Sequence, residues 1–88
     1  MSNNVFAHTV TTTATKVLDA IDVHRDVFMQ IIGNETVYLG DDNLVTTSNG
    51  LPIVKHTAAS HKVLVPGQEL WAIVGSGTES LRVFTIVD

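Results

Sequence analysis

Apolar and polar positions alternate along this chain in short runs that are separated by turn-forming residues. Residues 35–39 form one such run between Gly33-Asn34 and Gly40, and its threonine, valine and tyrosine favour the pleated surface of a sheet. Asn49-Gly50 is a second turn signal, because both residue types tolerate a positive φ angle. The pattern therefore predicts a strand at 35–39, joined to the preceding strand by a tight hairpin at Gly33-Asn34.

Residues 16–32 fit two periodicities. As a helix, they form an apolar stripe with one polar member, His24. As strands, they place apolar residues at six of the eight odd positions from Val17 to Ile31. The valine and isoleucine content and the polar interruption at 22–26 favour strands. We expect one strand at 15–18 and a second at 26–32.

The second half of the chain continues the pattern of short strands. Further strands are predicted at 44–47, 62–65, 69–74 and 79–87, and 53–55 is an extended piece that Pro52 restricts to a sheet edge. The count is about eight short strands, with turns roughly every 6–12 residues. This spacing predicts an all-β fold: a small antiparallel β-sandwich, jelly roll or barrel. We expect a flexible N-terminal arm at 1–8 and a single β domain at 9–88.

The predicted partner-binding residues are Val5, Phe6, Trp71, Phe84 and Ile86. Val5 and Phe6 are apolar residues in a polar arm, which indicates an anchor on a neighbouring subunit. Phe84 and Ile86 lie on the face of the last strand that should be polar if it met solvent. We expect a symmetry-related copy to cover that face, and the alternative is cover by residues 1–8 or 53–60 of the same chain.

Composition excludes several classes of function. The 88 residues carry a net charge of −4 without a cluster of Lys and Arg, so nucleic-acid binding is not expected. Cysteine is absent, no apolar run reaches membrane-spanning length, and the first residues do not resemble a secretion signal. Charged residues are only 16% of the chain, which fits either a surface covered by a partner or a threonine- and serine-rich surface.

Candidate chemistry is sparse. The closest of the four histidines along the sequence are His56 and His61, across an expected loop and without metal-ligand spacing, so surface imidazoles are favoured over a metal site. The acidic residues of 19–26 and 41–43 fit turns better than an acid/base pair or a calcium loop. We therefore predict no catalytic, cofactor-binding or metal-binding residue. Trp71 and Tyr38 fit a core or interface role, or alternatively a sugar-stacking platform.

Three segments together resemble a known class of protein. They are the Arg-led strand and Thr-Val-Tyr-Leu-Gly strand at 25–40, the Thr-x-x-Asn-Gly-x-Pro turn at 46–52, and the Glu-Leu-Trp-Ala-Ile strand with its Ser-Gly-Thr turn and Arg-Val strand at 69–83. This pattern resembles small virion proteins of tailed bacteriophages. Residues 53–60 depart from it, since a Pro/Gly-rich turn is usual there.

The resemblance implies a structural role in the virion. The expected function is that of a capsid decoration (cement) or minor capsid protein on the capsid exterior, assembled in the host cytoplasm. It would bind the major capsid protein and stabilise the shell as a homo-oligomer, with a trimer favoured. The alternative is a tail or head-fibre structural module, with carbohydrate binding through Trp71 and Tyr38. A small metal-dependent enzyme is the least favoured hypothesis, because it requires a convergent histidine cluster.

Overall fold

The structure, a computed structural model, describes residues 2–55 and 59–87. Within these residues it contains eight strands and no helix. In chain order they are β1 (Ser2–Val10), β2 (Thr15–Leu18), β3 (Arg25–Ile31), β4 (Val37–Gly40), β5 (Leu51–Ile53), β6 (Ser60–Leu64), β7 (Leu70–Val74) and β8 (Glu79–Val87). The prediction of an all-β fold with about eight strands is confirmed. The part of the chain described here holds no apolar helix of membrane-spanning length.

The strands form two four-stranded antiparallel sheets. Sheet A has the order β1-β8-β3-β6, and sheet B has the order β2-β7-β4-β5. The two sheets pack as a sandwich, which is the first of the three predicted architectures. Pro52 lies in β5 at an edge of sheet B, where the lack of a backbone N–H costs no ladder hydrogen bond.

The core lies between the sheets and follows from the alternation of side chains along each strand. In β8, Leu81, Val83 and Thr85 face inwards and are buried, whereas Arg82 and Phe84 face outwards. The largest fully buried side chains are Met29, Leu64, Leu70, Leu81, Val10, Val27, Val37, Val74 and Val83. Three polar residues share this buried layer: Arg25, Glu79 and Thr85.

The predicted hairpin at Gly33-Asn34 is wrong. β3 belongs to sheet A and β4 to sheet B, so the connection crosses the sandwich instead of joining neighbouring strands. The buried carboxylate of Glu79 holds this crossing, because it accepts hydrogen bonds from the backbone N–H groups of Gly33 (2.6 Å) and Glu35 (2.9 Å). These bonds satisfy donors that a hairpin would have paired with its own strands.

The predicted strand at 44–47 is also absent. The side chain of Asn49 accepts a hydrogen bond from Thr46 N–H (2.7 Å) and donates one to the carbonyl of Leu44 (3.3 Å). Asp42 accepts a further bond from Leu44 N–H at 2.9 Å. Local bonds from side chains to the backbone therefore replace a strand ladder in this segment. Only Val45 of this stretch is buried.

The N-terminal segment differs from the flexible arm expected at 1–8. Residues 2–10 form β1, which pairs with β8 along its whole length, from Ser2 opposite Val87 to Val10 opposite Glu79. β8 pairs with β3 on its other side, so β1 completes the hydrogen bonding of a nine-residue strand. β1 itself becomes the edge of sheet A. Met1 lies outside the described residues.

Candidate functional site

A row of exposed and half-buried side chains crosses all four strands of sheet A on its outer face. Val5 of β1 lies opposite Phe84 of β8, Phe84 lies opposite Phe28 of β3, and Phe28 lies opposite His61 of β6. We call these four residues the outer row. The ring centroids of Phe28 and Phe84 are 6.4 Å apart, and those of Phe28 and His61 are 4.7 Å apart in a stacked arrangement. Cross-strand ring contacts of this kind fix the side chains in place before any partner binds.

The outer row leaves apolar surface open in the isolated chain. Val5 is 73% exposed and Phe84 is 37% exposed, and the nearby Val63 is 49% exposed. A shallow depression of about 130 Å³ lies beside Phe84, with Phe28, Val5 and Arg82 among its walls. The solvated face of an antiparallel sheet normally carries polar residues. An apolar row on this face therefore marks a surface suited to contact with another molecule.

Polar groups surround the outer row. The carboxylate of Asp26 lies 3.0 Å from Nε2 of His61, and both side chains are partly exposed. Arg82, also exposed, flanks Phe84 along β8. An apolar centre with a polar, partly charged rim is the usual anatomy of a protein–protein interface.

The structure brings together three of the five predicted partner-binding residues. Val5, Phe84 and Ile86 lie on the outer face of sheet A. Ile86 is half-buried and follows Phe84 by two residues on the same face of β8. Phe6 alternates to the inner side of β1, opposite Val83, and lines a cleft at one end of the sandwich. Trp71 belongs to the other sheet. The structure leaves Phe84 37% exposed, so neither β1 nor the described part of 53–60 buries it fully.

Trp71 already has polar partners on the outer face of sheet B. Its indole N–H donates to a carboxylate oxygen of Glu69 at 2.9 Å, and the ammonium of Lys16 lies 5.7 Å from the ring centroid. The hydrogen bond from Trp71 is the main reason why the pKa of Glu69 is lowered, and the ammonium of Lys16 adds to the effect. Tyr38 is a diagonal neighbour, because it pairs with Ile73 while Trp71 pairs with Gly40. The two aromatic residues thus share a face, as a sugar platform would require, but Lys16 lies over the tryptophan.

Phe28 and His61 are members of the site that the sequence analysis missed. Once the odd positions of β3 are assigned to the core, Phe28 falls on the outer face between Asp26 and Gln30. That is the same anomaly that singled out Phe84, so alternation alone could have found it. His61 carried no such signal, because its position depends on which strand pairs with β3.

The geometry offers no arrangement for metal chemistry among the residues that the structure describes. Within 2–55 and 59–87, no group of three or more His, Cys, Asp or Glu side chains is placed to hold a metal ion. His56, half of the closest histidine pair in sequence, lies outside the described residues.

Comparisons with known proteins add no relatives. The chain matches no protein-family model, no curated protein and no solved structure.

Proposed function

We propose that this protein is a structural protein of a tailed-bacteriophage particle, which binds the outside of the assembled capsid as a decoration or minor capsid protein. The observation that carries the proposal is the outer row, an apolar strip on a rigid, solvent-facing sheet. The resemblance of the sequence to small virion proteins names the partner, the major capsid protein. No reacting group is needed for this role, since binding alone stabilises the shell.

Exposed apolar surface and fixed side chains both suit the outer row to binding. Val5 and Phe84 each retain exposed apolar surface whose burial would contribute on the order of 1 kcal/mol. Phe28 and His61 are stacked at 4.7 Å in the free chain, so little side-chain freedom is lost when a partner covers them. In a homo-oligomer the identical contacts of the joined chains act together, which strengthens retention on a symmetric shell.

A homo-oligomer, with a trimer favoured, belongs to the same proposal. Among the strands that the structure describes, β1 pairs with β8 alone, so one side of this nine-residue strand is an open sheet edge. Open edges of this length are natural places for another chain to add. Sedimentation velocity tests this part: a species with three times the 9.5 kDa chain mass supports it, and a monomer at high micromolar concentration contradicts it.

The main test measures binding to capsid shells that lack the protein. Val5→Asp and Phe84→Asp each place a charge in the outer row, and we expect about a ten-fold loss of affinity in a pelleting assay. Leu44→Asp is the matched control, because Leu44 is 71% exposed in the β4–β5 connection of sheet B. Equal binding of all three variants would refute the proposed surface. Unchanged thermal unfolding of Val5→Asp separates a binding defect from a folding defect.

The second candidate is a head-fibre or tail module, which the shared face of Tyr38 and Trp71 supports. Copy number separates the two. A decoration protein is expected in hundreds of copies per particle, whereas a fibre protein is present in far fewer. Quantitative mass spectrometry of purified particles gives this ratio directly.

A further inference from the structure

A second site lies at one end of the sandwich, away from the outer face of sheet A. It is a cleft of about 370 Å³ between the inner face of sheet A and the segment that contains β2. Its polar lining includes His8, Arg25 and Thr85. Arg25 is 4% exposed and Thr85 is 2% exposed, so these groups lie within the body of the domain.

Two residues that line this cleft each have a buried nitrogen atom without a hydrogen-bond partner. Nε of Arg25 and Nε2 of His8 are both buried, and neither has a partner among the described residues. The guanidinium makes one described hydrogen bond, from Nη2 to the carbonyl of Gln68 at 2.9 Å. Buried polar atoms are nearly always paired, so two unpaired nitrogen atoms at one cleft require an explanation.

Arg25 also has no ion-pair partner among the described residues. None of the ion pairs in the described part of the chain includes Arg25. Burial lowers the pKa of its guanidinium, and the negative charge of Asp19, which also lines the cleft, opposes this shift. Asp19 is 82% exposed and is itself paired with Lys16 at 3.3 Å. A buried cation without a bonded anion is costly, and an anionic ligand would relieve that cost.

The chemistry of the cleft selects among anions. Phe6, Leu18 and Ile21 line it together with the polar groups, so a ligand with a hydrocarbon body gains burial there. The carboxylate of Asp19 at the same cleft disfavours a multiply charged anion. A planar carboxylate matches the directional N–H donors of a guanidinium.

We propose that this cleft binds an aliphatic monocarboxylate. The carboxylate binds at the guanidinium of Arg25 and at the imidazole of His8 in the tautomer that carries the proton on Nε2. Because Arg25 Nε and His8 Nε2 have almost no accessible surface in the free chain, the two side chains rotate on binding so that these N–H groups donate to the ligand. The hydrocarbon chain lies against Phe6 and Leu18. This site is independent of the capsid-binding proposal, because it uses the inner side of β1 and β3 and none of the outer row.

The test is a titration with sodium hexanoate followed by the backbone amide signals and the Arg25 Nε–H signal in ¹H–¹⁵N NMR spectra. We expect saturable shifts confined to the cleft, with a dissociation constant in the low millimolar range. 1-Hexanol, which has the same body without the charge, should bind about ten-fold more weakly, since a hydrogen bond to a charged group is worth roughly 1.5–3 kcal/mol. Equal shifts with hexanoate and hexanol, or no cleft shifts with either compound, would overturn the proposal.

Variants separate the cleft from the rest of the protein. Arg25→Met keeps an unbranched apolar stem and removes the charged guanidinium, so it should abolish the preference for hexanoate over hexanol. His8→Leu removes the other donor and should weaken hexanoate binding several-fold, which keeps the test open if Arg25→Met fails to fold. His61→Leu is the matched control on the outer face and should bind hexanoate like the natural chain. A preference for hexanoate that survives both cleft variants would contradict the assigned donors.

Discussion

Glu79→Gln is the substitution whose effect the structure predicts most fully. The carboxylate is 5% exposed and accepts three backbone N–H groups, from Gly33 at 2.6 Å, Glu35 at 2.9 Å and Ser80 at 2.9 Å. Two of these bonds hold the connection that carries the chain from sheet A to sheet B. A glutamine has one acceptor oxygen, and its amide N–H group would face a backbone N–H with no acceptor between them.

The magnitude follows from the hydrogen bonds. Bonds to a charged group contribute roughly 1.5–3 kcal/mol each, and an unsatisfied buried donor costs about 1–3 kcal/mol. Because the glutamine oxygen can still accept some of these hydrogen bonds, we expect a loss of about 2–4 kcal/mol in the free energy of unfolding. Natural domains have about 5–15 kcal/mol in total, so the loss should be plain in urea denaturation followed by Trp71 fluorescence. Glu35→Gln is the matched control, because that side chain is exposed in the same connection.

The pH dependence gives a second readout. Burial is the largest influence on the carboxyl group of Glu79 and raises its pKa, but the N–H groups of Glu35, Gly33 and Ser80 together outweigh it. The pKa in the folded state is therefore below the ordinary glutamate value of about 4.3. Stability from this group is present above that value and is lost as the pH falls through the folded pKa. The difference between the natural chain and Glu79→Gln should shrink below about pH 4.3. A difference that is absent at pH 7, or constant down to pH 3, would refute this reasoning.

Three further predictions concern single side chains, all measured by urea denaturation. Gly77→Ala should cost about 1 kcal/mol, because Gly77 has φ of +64°, whereas Gly75→Ala should change stability by less than about 0.5 kcal/mol, since its Cβ would only reach ordinary contact at 3.7 Å. Gly40→Ala should cost about 1–3 kcal/mol, because its Cβ would lie 2.6 Å from Cβ of Val45. Arg25→Met should change stability by less than about 2 kcal/mol, since removal of a buried charge offsets the lost hydrogen bond to the carbonyl of Gln68, and a larger loss would contradict this description of Arg25.

The sequence predicted strands better than their arrangement. β8 has the expected bounds, and its inward Leu81 and Val83 follow from a period of two. That period does not say which sheet a strand joins, so the hairpin predicted between β3 and β4 was wrong. The strand expected at 44–47 failed because Asn49 competes for the backbone with its own hydrogen bonds.

The candidate site could be predicted only in part for the same reason. Phe84 could be singled out because it is apolar on a strand face that should be polar. Phe28 is apolar on such a face as well, so the same criterion identifies it. The alignment of Val5, Phe84, Phe28 and His61 in one row requires the register of three strand pairings, which local patterns do not contain. The cleft depends on a buried arginine at the first inward position of β3, and a charged residue at a strand end gave no sign of burial.

A reconstruction of the intact particle encoded by the same genome tests the central claim most directly. We expect density for this chain at many symmetry-equivalent positions on the outside of the shell, with Val5 and Phe84 buried against another subunit. The contradicting result is a shell without this chain, or a bound chain whose outer row faces solvent.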